Sequence, residues 1–309
     1  MMSIIKYNKN RSVQGYLLEK MIPLFVTLKK DLSSIEETER FIQKVGEETI
    51  EPYQLVKVKL KSDIIEDRFE NMQVFTLNNK NSHKQKVILY LHGGAHVNQP
   101  VDLHWKLMDK LACSLDAKII APIYPKVPHF NYQHTYPTLV RLYKSILDSI
   151  ENSNLLTLMG DSAGGNISLS LAQSLRDHEL PQPKDIILLS PCVDMVLDNP
   201  VISDYETRDP MLSVAGFDVI RRIWAADKSL DDPVISPIYG DFNDLGKISF
   251  FIGTYEGLYP DVMKLDKMLT EQGIDHSTFV YPKMNHVFVL FPIPEARDAI
   301  NKMTTIINS

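Results

Sequence analysis

Short, nearly unbroken apolar runs punctuate the chain at residues 86–91, 117–123, 155–159, 185–189, 248–252 and 277–281. Runs of this length and purity suit parallel strands covered on both faces, because neither face is left for solvent. The stretches between several of these runs carry a different period. Trp105, Met108, Leu111 and Ala112 form one helical stripe, Tyr132, Tyr136, Leu139, Val140 and Tyr143 a second, and the leucines from 169 to 175 a third. Strands alternating with helices predict an α/β fold, a mostly parallel, doubly wound sheet with right-handed crossovers.

Three regions depart from that rhythm. Residues 55–60 alternate between apolar and polar, and residues 73–77 follow as a partner, which predicts antiparallel strands at the N-terminal edge of the sheet. Ahead of them, residues 1–50 read as a helical extension or cap. One helix carries Leu17, Met21, Leu24 and Leu28 as its apolar stripe, and a second carries Ile35, Ile42 and Val45. Ser34 followed three residues later by Glu37 predicts a capping box at the start of that second helix. Between about 201 and 228 an additional helical pattern (Phe217, Ile220, Ile223, Trp224), flanked by Asp209-Pro210 and Asp232-Pro233, interrupts the alternation and reads as a cap insertion into a catalytic domain spanning 51–309.

Composition narrows the function classes. A chain of 309 residues, 44% hydrophobic and 23% charged, can bury one large core. Its net charge of −6 argues against nucleic acid as a partner, since that affinity rests on clustered Lys and Arg. Residues 1–11 lack the apolar centre of a signal peptide, and the longest apolar run is far too short to span a bilayer, so a cytoplasmic protein without a membrane span is expected. The two cysteines, Cys113 and Cys192, read as packing residues, and His104, His129, His134 and His178 show no metal-ligand spacing. No metal is expected.

The chemistry sits at two turns. Gly160-Asp161-Ser162-Ala163-Gly164 satisfies G-x-S-x-G and lies between an apolar run and a helical one, the strand-turn-helix setting that displays a nucleophilic serine. Small neighbours are needed there because the backbone doubles back on itself. His92-Gly93-Gly94-Ala95 directly follows the run at 86–91, and its glycines would let backbone amides approach a substrate oxygen. The expected oxyanion hole is formed by the amides of Gly93, Gly94 and Ala163. His92 is read as a loop stabiliser, Asp161 as a turn acceptor and Asn166 as a helix-turn residue, while His96 has no assigned role.

The pair of motifs, read together with Gly165-Asn166, resembles the hormone-sensitive-lipase family of α/β-hydrolases from about residue 55 to the end. The resemblance implies an α/β-hydrolase fold, esterase activity on short to medium acyl esters, no cofactor, and a lid made from the N-terminal helices and the later insertion. Ala95 stands where that family more often has a third glycine. By position in the family, His286 is the catalytic base. Glu256, in Gly253-Thr-Tyr-Glu256-Gly-Leu258, occupies the place of the family's acid, with Asp261 as the rival. Glutamate can fill that role, which is to orient the imidazole and stabilise its cation. Asp261 also reads as a helix-start residue after Pro260.

The expected reaction is hydrolysis of a small-molecule ester through a Ser162-His286-Glu256 triad. An amidase, a formamidase or a carbohydrate deacetylase would use the same triad, and a non-catalytic binding protein on this scaffold is the remaining alternative. Met211, Leu212, Phe217 and Trp224 either line the acyl pocket or merely pack; no substrate-binding residue is assigned beyond them. A sheet edge near the last strands offers a surface for a homodimer.

Overall fold

The computed structural model describes residues 4–309. In chain order its elements are β1 (Ile4–Lys6), α1 (Val13–Phe25), α2 (Leu28–Asp31), α3 (Ile35–Glu48), β2 (Ile64–Phe69), β3 (Met72–Leu77), β4 (Val87–Leu91), α4 (Asp102–Leu115), β5 (Lys118–Pro122), α5 (Tyr132–Asp148), β6 (Leu156–Asp161), α6 (Ala163–Asp177), β7 (Asp185–Leu189), α7 (Ile202–Glu206), α8 (Phe217–Ala225), β8 (Lys247–Tyr255), α9 (Tyr259–Glu271), β9 (His276–Asn285) and α10 (Pro294–Asn308). The strands form one sheet in the order β1-β9-β8-β7-β6-β4-β5-β3-β2. Only β3 runs against its neighbours, β2 and β5; every other pairing is parallel.

Alternate side chains of the central strands feed two separate cores. Val87, Leu89, Leu91, Leu158, Leu188 and Phe250 point to one, together with Leu139, Leu169, Trp224 and Leu265 from the helices. Ile88, Tyr90, Met159, Ile187, Leu189 and Phe251 point to the other, with Trp105, Met108, Ile300 and Met303. Covering on both faces explains why these strands read as unbroken apolar runs. It also fixes their register, since a one-residue slip would exchange the two cores.

Three expectations change. The alternating segment 55–60 is not a strand; β3 pairs instead with Ile64–Phe69. Val56, Val58 and Leu60 bury their apolar side against the core around Trp105, and the backbone N–H groups of Lys61 and Ser62 donate to the Asp109 carboxylate in α4. Alternation there reports a chain lying along a helix. The partner strand was hidden by Glu66, Asp67 and Arg68, residues typical of a guarded sheet edge. At the opposite end residues 4–6, expected as part of the helical extension, form the short strand β1 beside β9, so the sheet edge there is β1.

The third change concerns α1, whose expected inward stripe faces solvent. Leu17 and Met21 are each 52% exposed and Leu24 is 83% exposed, while Gly15 and Ile22 face inward. The helix is held in this rotation at its start: the Ser12 hydroxyl accepts the Gly15 N–H, and both the Ser12 backbone N–H and hydroxyl donate to Glu295 of α10. Ser34 caps α3 as expected, accepting the Glu37 N–H at 3.2 Å. Glu37 itself pairs with Arg40, so the reciprocal half of the box is not made.

The N-terminal helices and the 201–228 segment meet over the carboxyl ends of the strands. The Gly216 N–H donates to the Leu32 carbonyl at 2.8 Å, and Lys29 Nζ donates to the carbonyls of Glu206 and Asp209. Among the described residues no helix is long and apolar enough to cross a membrane, and no cluster of three His, Cys, Asp or Glu side chains is arranged to hold a metal ion.

Candidate active site

Ser162 occupies the turn between β6 and α6 with φ 52° and ψ −117°, a conformation that L-residues adopt only at a cost. The surroundings enforce it. The Ser162 N–H donates to the Leu189 carbonyl, its carbonyl accepts the Asn166 and Cys192 N–H groups, and a Cβ on Gly164 would run into the Leu91 carbonyl. The turn is thus clamped between β4 and β7.

The last strand and the loop after β8 deliver the other two groups. His286 follows β9 directly, with Nε2 2.9 Å from Ser162 Oγ and Nδ1 2.8 Å from Glu256 Oε2. Glu256 is completely buried, and its second oxygen accepts the Ser190 hydroxyl at 2.9 Å and the Gly253 N–H at 2.7 Å. Ser190 Oγ in turn accepts the Val287 N–H, which ties the histidine loop to the acid. Burial pulls the His286 pKa down, but the hydrogen bond and charge of Glu256 outweigh it and hold the pKa above the usual histidine range.

Asp261 is not part of this chain of contacts. It lies in the first turn of α9, accepts a hydrogen bond from Asn199, and is pushed up to about 6 by burial. A second buried carboxylate that sequence reasoning treated only as a flanking residue does reach the site. Asp209, 1% exposed, accepts the N–H groups of Met211 and Leu212 on one oxygen and that of Gly257, next to Glu256, on the other. Its charge adds to the upward pull on His286. The only sign of it in the sequence is an Asp-Pro step preceding a helical pattern.

In the loop after β4, where the oxyanion hole is expected, the amides are not equally free. The Gly93 N–H is already donated to Asp161 Oδ1 at 2.9 Å, so it is not free to receive a substrate oxygen. Among the described residues, the amides of Gly94, Ala95 and Ala163 have no protein acceptor. Gly94, Ala95 and His96 all have positive φ (125°, 55° and 60°), and this run turns the loop back so that its amides are not spent on the sheet. Asp161, read as a turn acceptor, also takes the Tyr90 hydroxyl at 2.7 Å and faces His104 Nε2 at 3.3 Å. Burial pushes its carboxyl up, but the interactions with His104, Tyr90 and Gly93 outweigh that and keep it below the usual carboxylate range.

His92 stacks on Tyr124 at 4.6 Å, and burial holds it neutral, well below the ordinary histidine pKa. His96, also depressed by burial, to about 4, packs at a tilt against Trp224 and faces Asn166. Asn166 is more than a helix-turn residue: its Nδ2 donates to the carbonyls of Cys192 and Ile235 and so joins α6 to two loops.

Ser162 opens onto a small apolar cavity of about 40 Å³, bordered by Leu32, Ala95, Cys192, Leu212, Val214 and Phe217 among others. Of the four candidate lining residues, Leu212 and Phe217 face this space, whereas Trp224 packs beneath His96 and Met211 packs against Asn285. Cys192 borders the cavity, and Cys113 is exposed rather than packed inside. Larger hollows, about 580 Å³ beside Lys126 and about 740 Å³ beside α1, do not touch Ser162.

Comparison with known proteins agrees with the fold. A family described by the alpha/beta hydrolase fold matches residues 88–290, a stretch that contains both glycine turns, Glu256 and His286. An acetyl-hydrolase of Streptomyces hygroscopicus is 26% identical over 217 residues, 70% of this chain and 73% of that one. An esterase of Acinetobacter venetianus is 25% identical over 218 residues, 70% of this chain and 72% of that one. Among solved structures, a Staphylococcus aureus protein described as a candidate esterase is 33% identical with a TM-score of 0.85, covering 89% of this chain and 93% of that one. A hormone-sensitive-lipase homologue from a metagenome library shares the fold, with a TM-score of 0.79 at 19% identity over 96% of this chain and 99% of that one.

Proposed function

Because the chain belongs to the alpha/beta hydrolase family, we propose that it is a serine carboxylic ester hydrolase working through a Ser162-His286-Glu256 triad. The observation that carries this reading is the continuous path from Glu256 Oε2 through both ring nitrogens of His286 to Ser162 Oγ, with spacings of 2.8 and 2.9 Å. Ser162 Oγ attacks the ester carbonyl carbon while His286 Nε2 takes its proton. The carbonyl electron pair moves onto oxygen, and that oxyanion is received by the amides of Gly94, Ala95 and Ala163. As the pair returns, the bond to the alcohol oxygen breaks and His286 protonates the leaving alcohol. Water, deprotonated by His286, then attacks the acyl carbon, and Ser162 recovers its proton when the acid leaves.

The cavity supports a preference at the short end of the acyl range. On the scale where about 10–15 Å³ holds one water, it admits a short chain such as acetyl to butyryl. Residues 4–50 and 201–228 form the cap that closes this space, through Leu32 from the first and Leu212, Val214 and Phe217 from the second. The acetyl-hydrolase and esterase relatives support the ester reading.

A fluorophosphonate probe followed by peptide mass spectrometry tests the proposal. Labelling is expected at Ser162, absent in Ser162→Ala and strongly slowed in His286→Ala and Glu256→Ala. Failure of the wild-type protein to label would sink the catalytic reading. Rates on aryl acetate, butyrate and octanoate test the acyl range, and an aryl formamide and an acetylated sugar test whether another bond is preferred.

A further inference from the structure

The outward face of α1 is largely apolar, broken by Gln14 and Lys20. Val13, Tyr16, Leu17, Met21, Leu24 and Phe25 recur at helical spacing on one side and are between 51% and 83% exposed. The inner face, with Gly15 and Ile22, is buried as well. An exposed helix face that is largely apolar marks an interaction surface.

The rim of this face has the opposite polarity to the rest of the molecule. Two hollows run along α1 where it passes the segment at 207–210, and six cations line them: Arg11, Lys20, Lys29, Lys30, Arg208 and Lys283. Only two carboxylates line the same space. Glu19 is taken up by Arg11 and Lys20, and Asp209 is turned inward onto backbone amides. Lys30, Arg208 and Lys283 have no carboxylate within ion-pair distance among the described residues. In a chain of net charge −6, this is a local concentration of positive charge beside an exposed apolar stripe.

We propose that α1 and its basic rim dock the protein on an anionic phospholipid bilayer surface, with the apolar stripe entering the headgroup boundary and the cations facing the phosphates. An apolar face bordered by Lys and Arg is the pattern by which a helix lies in a membrane interface, and each nearby cation adds attraction to anionic headgroups. A second copy of the chain fits less well. A two-fold contact through this patch would bring each basic rim against its own copy.

Co-sedimentation of the purified full chain with vesicles tests the proposal. Binding is expected to vesicles of equal parts phosphatidylcholine and phosphatidylglycerol, and to be at least about ten-fold weaker to phosphatidylcholine alone or in about 1 M salt. Leu17→Asp/Leu24→Asp is expected to lose binding by a similar factor while keeping its melting temperature and its turnover of a soluble aryl acetate. Lys20→Gln/Lys30→Gln should reduce the preference for anionic vesicles. Ser162→Ala should bind as wild type does, which separates docking from catalysis. Absence of binding to either vesicle would overturn the proposal, as would a dimer in sedimentation velocity that Leu17→Asp/Leu24→Asp converts to monomer.

Discussion

Two buried histidine–carboxylate pairs flank the turn that carries Ser162, and they differ in what the far nitrogen of each ring meets. In His286–Glu256 that nitrogen faces a hydroxyl able to give up its proton. In His104–Asp161 it accepts the Val101 N–H at 3.0 Å, which leaves Nε2 as the donor toward Asp161 and closes the circuit. Asp161 spends its other oxygen on the Gly93 amide and the Tyr90 hydroxyl. The same two functional groups therefore line up on a hydroxyl in one place, the proton path of the proposed mechanism, and brace the loop after β4 in the other. Burial does not distinguish the pairs, since both carboxylates are 1% exposed or less.

The contrast can be broken from either side. The largest effect is expected for Glu256→Gln, which keeps the shape but offers His286 the wrong hydrogen-bond partner; kcat on a short aryl ester should fall by about 10⁴-fold, as in other triads that lose their acid. A fall of less than about ten-fold would remove Glu256 from the triad. Next comes Asp161→Asn, which disturbs the acceptor of the Gly93 amide and so displaces the loop by a fraction of an ångström. A loss of about 10- to 100-fold in kcat is expected, with Ser162 still labelled by the probe.

His104→Ala should cost less activity, under about ten-fold, and more stability, roughly 1–3 kcal/mol by urea denaturation, because it strips a buried carboxylate of one partner. The opposite balance would mean that His104 handles protons after all. The smallest effect sharpens the comparison. Asp209 adds negative charge near His286 and raises its pKa, and only the neutral imidazole can act as base. Asp209→Asn should therefore move the acid limb of the kcat/KM profile to lower pH. A shift to higher pH would contradict the charge argument.

Much of this arrangement was legible in the sequence because it rests on local rules. The six central strands declared themselves through apolar runs and Ser162 through its place at the end of one, whereas His286 was legible through the resemblance to the hormone-sensitive-lipase family. What escaped depends on long-range contacts. Nothing local says that residues 55–60 will lie along α4 instead of joining the sheet, or that Glu295 will set the rotation of α1 through Ser12. The engagement of the Gly93 amide has the same origin, since its acceptor is a carboxylate 68 positions away in the chain. Asp209 was illegible because its importance lies in reaching Gly257, a partner that no spacing rule links to it.

The backbone at Ser162 sets folding against function at a single residue. With φ at 52°, the position would be occupied most comfortably by glycine, and holding serine there costs of order 1–3 kcal/mol that the surrounding hydrogen bonds must absorb. Glycine there would relax the turn but remove the hydroxyl, so the stability given up at this one position is what the proposed nucleophile requires.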